Sequence, residues 1–249
     1  MTEIETGTNA STANKTTGST PIIYLDFDGV INAFPDRDLM KRGGQEWLMT
    51  KARENDPRHD IYDLDKAFYL DGNTRIRIPH KSSYRIRWSR ELSDNFKELM
   101  ESEMVDARWL TTWQPYTQKL NATLGWDESF IDTVQWYDKE TLTGLYTGKL
   151  DTVRQSMVTE GMKPDPTPIV WVDDDECDAY NVKKIVDSLP ANQNIRLLMI
   201  RPNPCIGISR KQYGIIKDFV TAPEQFDTLT INSYDESDAY QHHGYTPLS

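Results

Sequence analysis

Apolar positions along this chain fall into short runs, each closed by acids or hydroxyls. Residues 22–25 (IIYL) and 169–172 (IVWV) are unbroken apolar quartets. Strands covered on both faces read as continuous apolar stretches, so both quartets predict buried parallel strands. A third run, 107–113 (ARWLTTW), reads as a short strand ending in hydroxyls, and a fourth, 195–200 (IRLLMI), as a last strand. Helical spacing lies between them. Over 89–104, Leu92, Phe96, Leu99 and Met100 recur on one helical face. A second helix is expected over 151–160, and a third from Ser209, a suitable N-cap. Strands alternating with helices predict an α/β fold with a parallel central sheet. The segment 32–88 is far longer than a crossover needs and reads as an insertion after the first strand. Within it, 74–88 alternates apolar and basic residues as a hairpin does.

Composition bounds this picture. The chain has 249 residues, 37% of them hydrophobic, and a net charge of −11. That is enough for one large domain, expected over 21–225 with its insertion at 32–88. Residues 1–20 are rich in Thr, Ser and Asn and are expected to be disordered. Residues 226–249 are expected to form a polar tail, in which His242 and His243 read as exposed side chains rather than metal ligands. No stretch approaches the ~20 apolar residues of a membrane span, and no secretory signal is visible at the start. Two cysteines, Cys177 and Cys205, provide neither a disulfide framework nor zinc-ligand spacing. A reduced, cytoplasmic setting is therefore expected, with no membrane and no obligate protein partner.

The ends of the apolar quartets carry the chemistry. The first leads into Asp26-Phe27-Asp28-Gly29, the second into Asp173, Asp174 and Asp175. Open α/β sheets place ligand sites at the carboxyl ends of their strands. Two carboxylates ~4 Å apart repel by about 4 kcal/mol at an effective dielectric of 20, and a divalent cation resolves that conflict. Mg²⁺ is a suitable one, since it binds through one or two carboxylates plus substrate phosphates. The plainer alternatives are an acidic turn after the first strand and a helix N-cap at the second. Thr111 and Thr112 close the third strand. Lys149, in TGKL, lies near the start of the expected helix, where dipole and ammonium both favour an anion. Singly, Thr111 reads as an ordinary strand residue and Lys149 as a surface lysine.

Taken in order, IIYLDFDG, RWLT, Lys149 and IVWVDD resemble the motif series of the haloacid dehalogenase (HAD) superfamily. WLTTW, GKL, VWVDDDE and RPNPCIGIS resemble more closely a bacterial and phage subgroup associated with RNA-repair proteins. The resemblance implies a HAD-like Rossmannoid fold whose insertion is a small cap. It further implies a Mg²⁺-dependent phosphomonoester hydrolase working through an aspartyl-phosphate. On that basis Asp26 is the nucleophile and Asp28 the general acid and base. Thr111 and Lys149 hold the phosphoryl group, with Thr112 beside them. The metal site is then formed by the Asp26 carboxylate, the backbone carbonyl of Asp28, and Asp173 and Asp174, with the direct ligand open between the last two.

Residues 74–90 hold six Lys or Arg and no acid. Alternation puts Arg75 and Arg77 on one face of the first strand, and Arg85 and Arg87 on one face of its partner. Ile76, Ile78, Ile86 and Trp88 then face a core. The ribbon is either a solvated sheet face or a substrate-binding patch for the phosphates of a nucleotide or nucleic-acid end. A small-metabolite phosphatase and a non-catalytic nucleotide- or protein-binding protein remain as alternatives. Trp113 could line the pocket, and Arg201 is expected to be structural.

Overall fold

The structure, a computed structural model, describes residues 19–80, 82–137, 148–188 and 195–234. Most of the expected N-terminal tail (1–18), together with Lys81, Thr147, His242 and His243, lies outside the described residues.

The strands are β1 (Ile22–Leu25), β2 (Gly72–Arg77), β3 (Ser83–Trp88), β4 (Asp106–Trp109), β5 (Asp132–Thr133), β6 (Ile169–Val172), β7 (Leu197–Arg201) and β8 (Leu229–Ser233). Six of them form a sheet in the order β5-β4-β1-β6-β7-β8, every pair parallel. This α/β architecture with its central parallel sheet is Rossmann-like. The helices are α1 (Arg37–Arg42), α2 (Gly44–Lys51), α3 (His59–Tyr62), α4 (Arg90–Glu101), α5 (Thr117–Leu124), α6 (Lys149–Gly161), α7 (Ala179–Ser188) and α8 (Arg210–Thr221).

The apolar quartets are explained by cover on both sides. Ile23, Leu25, Val170 and Val172 pack with Phe96 of α4 and Phe219 of α8. Ile22, Tyr24, Ile169 and Trp171 pack with Val153 of α6 and Ile185 of α7. Ser89 caps α4 by accepting from the Leu92 amide, and Ser209 forms a capping box with Gln212 on α8. Both helices thus begin where the sequence predicts.

Three boundaries differ from expectation. The third strand stops at Trp109 rather than running to Trp113, because the chain turns there: the Gln114 amide donates to the Thr111 carbonyl at 3.2 Å. Helix α6 opens at Lys149 itself, two residues early. The polar tail expected from 226 is corrected more substantially, since Leu229–Ser233 form β8 and pair along their length with β7. Leu229 and Ile231 are buried, and the edge of β7 supplies backbone partners that outweigh the polar composition of the segment.

The segment between β1 and α4 contains α1, α2 and α3 and the antiparallel ribbon β2–β3. The ribbon's Ile76, Ile86 and Trp88 join the same core as Phe27 and Trp109, so it packs directly on the loop that follows β1.

Candidate active site

Register assembles the site. Leu25 is level with Trp109 on one side and Val172 on the other, so Asp26, Leu110 and Asp173 emerge together at the carboxyl edge. The Asp26 amide donates to the Val172 carbonyl at 3.0 Å, and that of Asp173 to Ile200 at 3.1 Å. The two central acids are therefore held from the backbone outward.

Lys149 lies between them. Its Nζ donates to Asp26 Oδ2 and to Asp173 Oδ2, each at 2.7 Å, with all three side chains nearly sealed from solvent. Burial opposes the ammonium charge, but Asp173 and Asp26 outweigh it and raise the lysine's pKa. The ring of Trp136 stands 6.0 Å from Nζ, and Trp136 is fixed by its indole N–H donating to the Thr111 carbonyl at 2.9 Å. The other oxygen of Asp173 accepts from the amides of Asp175 and Glu176.

One ammonium does not neutralise this much acid. Asp26, Asp173 and Asp174 offer oxygens that all lie within 4.8 Å of one another. Burial, then repulsion from Asp26, raises the pKa of Asp173. Asp174 is pushed up to about 7 by burial and by Asp175, Asp173 and Asp26. A compact set of oxygen donors with surplus negative charge is the donor chemistry of a hard divalent cation, and these three residues could hold one. Asp174 reaches the cluster because residue 29 is glycine. Gly29 has φ +69°, and a Cβ there would stand 2.1 Å from Asp174 Oδ2. Arg201 donates from Nε to the Asp174 carbonyl at 2.9 Å, a supporting contact.

Asp28 belongs to the rim of this cluster. Its carboxylate accepts from Asn32 Nδ2 at 2.6 Å and from Trp113 Nε1 at 2.9 Å, rather than joining the three-acid group. Burial raises its pKa despite those two bonds. Asn32 also accepts from the Arg87 amide at 2.8 Å, which ties Asp28 to the ribbon. The two threonines part company. Thr111 is fully buried and accepts from the Trp113 amide at 3.3 Å. Thr112 is exposed and lines a cavity of about 150 Å³ with Asp28, Ile78, Tyr84, Trp113 and Tyr116.

Of the residues singled out from sequence, Asp26, Asp173, Asp174 and Lys149 converge, Asp28 borders them, and Thr111 and Thr112 stand at the adjoining turn. The arginines do not converge. Arg75 pairs directly opposite Arg85, and Arg77 and Arg87 share their face, whereas the other face of the ribbon is the one buried against Phe27. Asn32, Tyr84, Tyr116 and Trp136 escaped sequence reasoning. The only local signal among them is Asn32, four residues after Asp28, the spacing of one helical-type turn.

Comparison of the chain with protein-family models, curated proteins and solved structures gives no match in any of the three.

Proposed function

We propose that this chain is a HAD-type phosphomonoester hydrolase that uses Mg²⁺ and acts on a phosphorylated nucleoside, free or at a nucleic-acid end. The observation that carries this reading is the ammonium of Lys149 shared at 2.7 Å between Asp26 and Asp173, with Asp174 alongside. Buried acids on adjacent strand ends, bridged by a lysine, provide a nucleophile, a cation site and an anion clamp at one point.

The chemistry follows from these groups. A carboxylate oxygen of Asp26 attacks phosphorus while the ester P–O bond breaks, forming an aspartyl-phosphate. Asp28 gives its proton to the departing oxygen. Water then attacks phosphorus, Asp28 takes its proton, and the Asp26–phosphorus bond breaks to release phosphate. A raised pKa suits Asp28 to that duty, because it must be protonated when the leaving group departs. Lys149 and the Thr111 hydroxyl hold the transferred group. Asp26, Asp173 and Asp174 would hold Mg²⁺, which when bound would supply charge neutralisation for the phosphoryl oxygens. The segment bearing the ribbon acts as a cap over this edge, and Tyr84, Trp113 and Tyr116 offer aromatic walls to a base.

A small-metabolite phosphatase is the second reading, favoured by the outward direction of the arginine face. Both are tested by phosphate release from nucleotides, 3′- and 5′-phosphorylated oligonucleotides and an aryl phosphate, with Mg²⁺ or chelator. Metal-dependent release is expected, lost to background in Asp26→Asn and lowered about 10²–10⁴-fold in Asp28→Asn. Absence of release from every substrate would favour a non-catalytic binding protein instead.

A further inference from the structure

The active site leaves the arginine face of the ribbon without a use, and that face is built in a way a purely structural surface is not. Arg75 and Arg85 are directly opposite across the ladder, flanked by Arg77 and Arg87 on the same side. Like charges in that position are destabilising. Among the described residues, no acid lies within ion-pair distance of these four, although Arg58, Arg90, Arg108 and Arg210 all have carboxylate partners. Beside this face a cleft of about 430 Å³ is lined by Pro35, Arg37, Met40, Lys41, Arg85 and Arg87, with no acid in its wall. Lys41 pairs with Asp38 on its exposed side. The Nε of Arg87 is buried without a hydrogen-bond partner, and burial together with the charge of Arg85 lowers the pKa of Arg87. A guanidinium whose buried Nε lacks a partner, in a basic cleft, is a site that an anion completes.

We propose that this outer face and its cleft bind the backbone phosphates of a single-stranded nucleic acid, outside the reaction pocket and leading toward it. Arg85 and Arg87 are two residues apart on one face, about 6.8 Å, close to the spacing of successive phosphates in an extended strand. Tyr84 immediately precedes Arg85, is 42% exposed, and meets Trp113 edge-on at 5.3 Å at the mouth of the Asp28 cavity. Tyr84 is on the opposite face of β3 from Arg85 and Arg87, so a strand whose phosphates follow the arginines meets this stacking group where it turns in toward the pocket, the combination that holds single strands. The net charge of −11 opposes a long duplex, whose phosphates would meet acidic surface beyond the patch. This deepens the proposed function by making the substrate a strand rather than a free nucleotide, and it rests on that reading only for what happens at the strand's end.

The test is fluorescence polarisation of a labelled, unphosphorylated single-stranded octanucleotide with the Asp26→Asn protein, without Mg²⁺. Binding is expected, with log K falling against log salt at a slope of about −2 to −3, as for three or four phosphate contacts. Arg85→Glu with Arg87→Glu should weaken it at least about tenfold. Arg85→Gln with Arg87→Gln should give a smaller loss and serves if the charge-reversed protein misfolds by circular dichroism. Tyr84→Ala should weaken the octanucleotide but not inorganic polyphosphate. No binding, binding indifferent to both arginine pairs, or polyphosphate binding equally well with Tyr84 irrelevant would each overturn the proposal. Since the readout needs neither metal nor turnover, its failure would leave hydrolysis standing, and failed hydrolysis would leave it standing.

Discussion

Gly29 and Asp174 set each other's terms. The left-handed backbone at φ +69° and the 2.1 Å approach of the Asp174 carboxylate both exclude a side chain. Gly29→Ala should displace Asp174 and weaken Mg²⁺ binding about 10–100-fold, measurable by titration calorimetry; unchanged affinity would remove Asp174 from the cation site. Asp174 also gives the metal-free protein an unusual pH response. Its pKa rises from 3.8 to about 7 on folding, so between those values the native state binds more protons than the unfolded chain. Stability contributed by this group therefore falls as pH rises through that window. With chelator, Tm should decline from about pH 4 to pH 7, and saturating Mg²⁺ should flatten the decline by replacing the proton; identical profiles with and without Mg²⁺ would contradict it. At this scale the acids were legible because a strand end has no packing use for them. Tyr84 and Trp136 were not, since each acts through a contact with a residue distant in sequence, Trp113 and Lys149 respectively.

The β2–β3 ribbon shows an element serving two faces at once. Its alternation was plain in the sequence, and the buried set of Ile76, Ile78, Ile86 and Trp88 is the one that alternation predicts. What alternation could not tell is which way the arginines point relative to the acids, because that depends on how the ribbon docks on the loop after β1. The opposed pair Arg75 and Arg85 should be a stability defect of roughly 0.5 kcal/mol. Arg75→Gln is accordingly expected to raise Tm by about 1–2 °C, read by differential scanning calorimetry, and a lower Tm would show that the pair is compensated. Helix α4 was equally legible, its apolar stripe and Ser89 cap lying together in sequence. Strand β8 was hidden for the opposite reason: its few apolar residues acquire meaning only against the edge of β7.

For the whole molecule, the order β5-β4-β1-β6-β7-β8 puts β1 and β6 side by side in the interior of the sheet. The fold class followed from alternating strands and helices, and the convergence of the acids followed from their strand-end positions. The sheet order itself was not written in any local pattern. Among the described residues no helix is long and apolar enough to cross a membrane. The placement of β1 and β6 bears on how the clustered acids can be lost. The amides of Asp26 and Asp173 are bonded into the neighbouring strands at Val172 and Ile200, so they should exchange with deuterium only when the entire sheet opens, among the slowest in the chain. Fast exchange at either would show a hinge in the sheet. Fraying of the edge strands β5 and β8 would leave the acids assembled, and the proposed activity should persist to the brink of melting and vanish with the fold in one step.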